Sequence, residues 1–316
     1  MCTAIAFLGR GACFARNLDL EYSLGESVIC TPENYPLSFR CAGTLQTHYP
    51  ILGAGVERQG YPLYYDGMND RGLCMAGLAF PEYAHYPDAE AGSVAPFELI
   101  PWVLGQCATV AEAEKLLCST HLGAIQFSPD LPLTPMHWIV SDGTQALVIE
   151  PRAHGLDLLP NPTRVLANSP ALAFLLENLR QDLSLQPREP ENTLAPGLDL
   201  RPFSRGTGAM GLPGDLSSPS RFLRACYALH NSGEGDIQQA LRILQTVSQA
   251  KGLVQLDNGL EYTRYTGICC PSQGLYAYTT YENPSVTAID MTKLDTKGRR
   301  LQCFPMEHQL RVHMAN

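Results

Sequence analysis

Short β-type runs joined in pairs through tight turns constrain this chain more than any other feature. Residues 3–8 and 12–17 flank Gly9-Arg10-Gly11, and residues 137–141 and 146–150 flank Asp142-Gly143-Thr144. Both are hairpin signals. Further strands are expected at 27–31, 73–80, 260–269, 274–281 and 285–294. Helices are expected at 96–105, at 109–119 where Thr109 and Glu112 form a capping-box start, from Ser218-Pro219 to about 230, and from Asp236 to about 249. Hairpins that outnumber helices, in the order strands, helices, strands, helices, strands, predict an α+β chain with antiparallel sheets. Two sheets between two helical layers is the natural packing, with the last strands returning to the opening hairpin. The 316 residues are read as one domain, 1–316. The proline- and glycine-rich stretch from Gln186 to Gly214 is too long for a simple connector.

Composition narrows the function. A net charge of −9 argues against nucleic acid, which needs a basic face. Only four of the 22 basic residues are lysines (Lys115, Lys251, Lys293, Lys297), so arginine is left to recognise carboxylate or sulfonate groups. The apolar opening lacks a cationic leader, and no apolar run approaches the roughly 18 residues that span a bilayer. A cytoplasmic location without membrane partners is therefore expected. The 11 cysteines form no C-x-x-C pair, which points to thiols buried in a reducing compartment and to no metal or cofactor.

Cys2 is the chemical exception. A small second residue permits removal of Met1, which would place a free α-amine on the same residue as a thiol. An α-amine has a reference pKa of about 7.7–8.0 and can act as a base near neutrality. A thiol is already strongly nucleophilic when only a few per cent is ionised. One residue then supplies nucleophile and base without a histidine. Taken alone, a core thiol at a strand end accounts for Cys2 equally well. Arg16-Asn17-Leu18-Asp19, at the end of the return strand, comes back beside the N-terminus. Alternation puts Asn17 and Asp19 on one face and Arg16 and Leu18 on the other. An arginine near a thiol favours the thiolate, and an aspartate holds an α-ammonium; a surface ion pair is the plainer alternative.

Met1-Cys2-Thr3, the run from Arg16 to Ser23, and Asp66-Gly67-Met68-Asn69-Asp70-Arg71-Gly72-Leu73 together resemble the choloylglycine hydrolase family, which contains bile salt hydrolases and penicillin V acylases. So do Ala167-Asn168-Ser169-Pro170, Gly211-Leu212-Pro213-Gly214-Asp215, Ser218-Pro219-Ser220-Arg221-Phe222, the run from Tyr278 to Asn283, and Ala288-Ile289-Asp290-Met291. The matches run from residue 1 to about 291 in the family's order. The resemblance implies the four-layer αββα N-terminal-nucleophile fold and a set of roles. Cys2 would be nucleophile and base, with Arg16 and Arg221 flanking the thiol and Asp19 orienting the amine. Asn168 and the backbone N–H of Ala79 would stabilise the oxyanion.

Ala79 departs from the family, which carries Asn or Tyr there; the backbone donor survives, but the side chain that sorts substrates does not. The resemblance implies cleavage of bile acids conjugated to glycine or taurine. Leu20, Tyr22, Phe80 and the loop 122–133 would be apolar walls, and Ser204 with Arg205 would ligate a sulfonate in taurine-preferring fashion. Penicillin V or N-acyl homoserine lactone acylase is the alternative on the same fold, and an inactive acyl-amide binder the non-enzymatic one. The segment 181–214 resembles the protrusion through which family members form homotetramers.

Overall fold

A computed structural model describes residues 1–9, 11–257 and 259–316. Arg10, at the tip of the expected Gly9-Arg10-Gly11 turn, lies outside the described residues. The opening hairpin is present on either side of it: β1 (Cys2–Ala6) and β2 (Phe14–Leu20) pair antiparallel, Cys2 opposite Leu18 and Ala4 opposite Arg16.

Among the described residues the first sheet has seven strands. β1 is flanked by Val165–Leu166 and by β2. β2 in turn pairs with the long strand Gly259–Cys270, followed by Leu275–Thr280 and Thr287–Asp290, and Val254–Leu256 pairs with the start of the long strand as the seventh. The end of the chain therefore closes on its beginning. Every residue of β1 is buried, because one face meets the second sheet and the other meets helices. A strand covered on both sides reads as a continuous apolar run, as Cys2-Thr3-Ala4-Ile5-Ala6 does. The second sheet, of nine strands among the described residues, runs from Gly155–Pro160 through Ala146–Arg152, Met136–Ser141 and Cys74–Ala79 to Asp66–Asn69, Ile51–Arg58, Ser27–Thr31 and Gln302–Pro305, with Tyr61–Tyr64 paired to Ile51–Arg58 as the ninth.

Among the described residues there are five α-helices: α1 (Leu99–Leu104), α2 (Val110–Leu117), α3 (Leu172–Asn178), α4 (Ser218–His230) and α5 (Ile237–Gln245). α1 and α2 pack on the second sheet, α4 and α5 on the first. The order of layers is α, β, β, α, the four-layer α+β arrangement of N-terminal-nucleophile hydrolases. One buried cluster fills the space between the sheets and beneath α4 and α5. The other joins the second sheet to α1 and α2.

Several elements differ from expectation. The strands Ile51–Arg58, Tyr61–Tyr64, Asp66–Asn69 and Gly155–Pro160 have no counterpart in the sequence reading, nor does α3. Glycines hide the first: a Cβ at Gly53 would lie 2.1 Å from the Asp66 carbonyl oxygen, so packing of adjacent strands, not β propensity, chose that residue. The helix expected at 96–105 opens as a 3-10 turn before α1, the strand expected at 285–294 covers only Thr287–Asp290, and α5 stops at Gln245. The predicted caps are present: Thr109 accepts from Glu112 N–H, and Asp236 accepts from Gln239 N–H. No helix is long and apolar enough to cross a membrane.

Candidate active site

The hairpin register places Arg16 diagonally across from Cys2 on one face. Arg16 Nη2 lies 2.7 Å from Cys2 Sγ, and both residues are buried. A guanidinium in contact with sulfur stabilises negative charge there. Asn17 and Asp19 point to the other face, as alternation requires: Asn17 Nδ2 donates to the Leu244 carbonyl of α5 and Asp19 accepts from Thr263 at 2.6 Å.

Asn168 follows the short strand Val165–Leu166 that pairs with β1. Its Oδ1 accepts from Cys2 N–H and from Arg221 Nη2, each at 2.7 Å. Its Nδ2 donates to the Ala79 carbonyl at 2.8 Å. Within a strand, the N–H and C=O of one residue point the same way and neighbours alternate. Gly77 N–H bonds the Tyr65 carbonyl while Phe80 N–H bonds Pro135 on the opposite side. Ala79 N–H therefore points to the edge where the Asn168 amide sits, so two donors share one side of the thiol. Arg221, on the first turn of α4, makes no hydrogen bond to Cys2 Sγ among the described residues, and its Nη2 reaches Met1 Sδ at 3.5 Å instead. It donates to the Cys2 carbonyl and to Thr3 Oγ1, clamping the backbone of the nucleophile from the helical side.

With Met1 in place, its ammonium donates to the Asp19 carbonyl oxygen at 2.7 Å and to Glu261 Oε2 at 2.6 Å. The Asp19 carboxylate is thus not bonded to an amine in this form of the chain. Its Oδ2 is buried without a hydrogen-bond partner among the described residues, and burial raises its carboxyl above the usual range against the pull of Arg221 and the N-terminal charge.

Cys2 opens onto a cavity of about 280 Å³ walled by Leu18, Leu20, Tyr22, Tyr65, Ala79 and the loop from Ile125 to Thr134. Leu20, Tyr22 and, of the expected loop 122–133, the part from Ile125 line this cavity. Phe80 does not: it is fully buried away from the cavity and stacks on His137 at 4.2 Å. Alternation is the reason, since Ala79 takes the cavity side of the strand end and its neighbour takes the other. Ser204 and Arg205 are exposed on the segment between α3 and α4 and do not line the cavity of their own chain.

Other residues at the site carried no assigned role. Glu261 holds the N-terminus, and Asp66 sits 3.6 Å from Arg16. Tyr265 and Tyr276 both donate to Asp66. Asp66 stands inside a motif, but nothing in its spacing says which cation it meets. The tyrosines read as ordinary strand residues.

The four layers define the fold of the N-terminal-nucleophile hydrolases. The sequence profile of the linear amide C–N hydrolases, choloylglycine hydrolase family, matches residues 2–302, and the chain belongs to that family and is an amide C–N hydrolase. It is 41% identical over 324 residues to a bile salt hydrolase/transferase of Lactiplantibacillus plantarum, with all of both chains covered. It is 32% identical to one of Clostridium perfringens, again over the full length of both. Among solved structures, a mutant of the conjugated bile acid hydrolase from Clostridium perfringens matches all of this chain with a TM-score of 0.93 at 31% identity. A penicillin V acylase from Agrobacterium tumefaciens shares the fold at a TM-score of 0.76 and 22% identity over 96% of this chain and 91% of its own.

Proposed function

We propose that this protein deconjugates bile acids, cleaving the amide between a steroid acyl group and glycine or taurine. The observation that carries the reading is the Cys2 thiol, in contact with Arg16, at an apolar cavity shaped by Leu20, Tyr22 and the loop from Ile125 to Thr134. A steroid needs such walls, and the full-length relatives, both bile salt hydrolases/transferases, support that substrate class.

Removal of Met1 converts the Cys2 peptide nitrogen to an α-amine. The unpartnered Asp19 Oδ2 is available to accept from the N–H groups so gained. The thiolate attacks the amide carbonyl carbon, and the developing oxyanion takes hydrogen bonds from Asn168 Nδ2 and Ala79 N–H in place of the bond Asn168 now makes to Ala79. The α-ammonium gives its proton to the leaving nitrogen, the C–N bond breaks, and glycine or taurine departs. Water, deprotonated by the α-amine, then hydrolyses the thioester. An amine in place of water would give acyl transfer, the second activity in the name of the Lactiplantibacillus plantarum relative.

The protein is incubated with taurocholate, glycocholate and penicillin V, and the released amine is measured beside Cys2→Ala. Bile salt turnover that disappears in the variant is the expected result. Full activity of Cys2→Ala sinks the mechanism, and turnover of penicillin V alone sinks the substrate assignment in favour of an acylase. Intact mass reads methionine removal directly; a retained Met1 with no turnover identifies an inactive binder.

A further inference from the structure

Arg16 is 1% exposed, and its charge cannot sit in the interior without a counter-charge. That partner is Asp66, also 1% exposed, on the facing sheet. The pair is not a close fork. Arg16 Nη1 stays 3.6 Å from Asp66 Oδ2 and 3.4 Å from the Tyr65 carbonyl, while Nη2 makes the short contact to Cys2 Sγ. The carboxylate spends its strong acceptor positions elsewhere: Tyr265 donates to Oδ2 at 2.5 Å and Tyr276 to Oδ1 at 2.7 Å. Burial drives both phenols far above their ordinary range, so each stays protonated and remains a donor. The chain makes room for this arrangement. Gly267 stands opposite Arg16 in the sheet, and a Cβ there would overlap the Tyr276 hydroxyl.

We infer that Asp66, Tyr265 and Tyr276 are positioning residues for the nucleophile: the two hydroxyls hold Asp66 back from Arg16, so that the guanidinium keeps its short contact and its field for the Cys2 sulfur. The inference rests on Cys2 being the nucleophile. Asp66 alone would neutralise Arg16 and draw it away from the thiol. The tyrosines disperse the carboxylate charge by hydrogen bonding, which weakens the pull without leaving a bare buried ion. The charged and titratable groups around this centre are few. Arg16, Asp66, Tyr265, Tyr276 and Tyr65 lie on the thiol side, Cys269 faces Asp66 from the first sheet, and Arg221, Asp19 and Glu261 lie on the helical side.

The arrangement predicts effects of opposite sign. Asp66→Asn keeps the shape and removes the charge, so Arg16 acts on sulfur unopposed. Tyr265→Phe or Tyr276→Phe removes a donor, so Asp66 pulls harder on Arg16. The readout is the alkylation rate of Cys2 by iodoacetamide at mildly acidic pH, followed on the N-terminal peptide by mass spectrometry. Asp66→Asn should accelerate it roughly three- to tenfold, and each phenylalanine variant should slow it by a similar factor. Gly267→Ala, which displaces the Tyr276 hydroxyl, should behave like Tyr276→Phe. A general loosening of the site would move every variant the same way, and that outcome, or no change in any folded variant, overturns the inference. Should Asp66→Asn fail to fold, slowing in Tyr265→Phe and Tyr276→Phe sustains it, because a loosened site would expose the buried Cys2 thiol and speed its alkylation; unchanged or faster rates in both overturn it. An inert Cys2 in the parent protein instead sinks the nucleophile reading itself, and the inference with it.

Discussion

At the scale of single residues the site is decided by which way neighbours on one strand point. Ala79 offers its N–H beside the Asn168 amide, while Phe80, one position on, is turned under the sheet against His137. Asn168 bonds in two directions at once: Oδ1 ties Cys2 N–H to Arg221, and Nδ2, which donates to the Ala79 carbonyl, is the donor that would change partner in the proposed mechanism. Replacing it by alanine should lower kcat by about 10²–10³, the cost of one preorganised oxyanion donor, with a much smaller change in KM. Steady-state kinetics on taurocholate checks this, and a loss confined to KM would assign Asn168 to ground-state binding instead. The same residue shows what was legible and what was not. Its identity as a site residue was read from the motif Ala-Asn-Ser-Pro, but its clamp on Arg221 was not, because the two residues meet only when α4 lies across β1.

Elements present these residues, and their ends matter more than their middles. α4 carries Arg221 on its first turn, and that end is fixed by Asp215. The Asp215 carboxylate accepts from Ser217 N–H at 2.9 Å and from Ser220 Oγ at 2.6 Å. The Ser217 and Ser220 bonds pull the Asp215 carboxyl down to about 2. A carboxyl lowered on folding contributes stability above its unfolded pKa and loses it as pH falls through the folded value. The thermal-stability difference between the parent and Asp215→Asn should therefore be present at neutral pH. It should shrink as pH drops from the usual carboxylate range toward about 2. A constant difference across that range would show that the side chain acts by shape alone. The caps of α2 and α5 were readable in the sequence because a cap is a contact three residues long. The strands around Gly53 and Gly67 were not, since their glycines answer to a neighbouring backbone.

At the scale of the whole molecule, the segment between α3 and α4 stands apart. Leu183, Leu194, Leu198, Leu200, Phe203 and Met210 are exposed on it or at its edge, a run of apolar surface unusual for a chain in isolation. Packing against another copy would cover this surface, as the homotetramer implied by the resemblance would do. Phe203→Asp should lower the oligomeric state on size-exclusion chromatography with light scattering, and an unchanged mass would reject the segment as an interface. Arg205 sits beside Phe203 and outside its own cavity. A sulfonate-binding role for it therefore requires the cavity of a neighbouring copy. Arg205→Gly should reduce the ratio of kcat/KM for taurocholate over glycocholate, and Phe203→Asp should reduce it too if the contact is made between copies. An unmoved ratio in Arg205→Gly removes the arginine from substrate recognition.

The amino-acid sequence by itself determined the hairpins at 3–17 and 137–150, the caps of α2 and α5, and, through the order of its elements, the four-layer α+β class. The hairpins and caps follow from a turn, a period of two or a motif within a score of residues, where local geometry leaves few choices. Only the tertiary structure decided what surrounds Arg16. Tyr265 and Tyr276 reach Asp66 across 199 and 210 positions of sequence, and Glu261 reaches the N-terminus across 260. No local period encodes such separations. They arise when two sheets face each other, and the buried charges then fix which polar groups must meet.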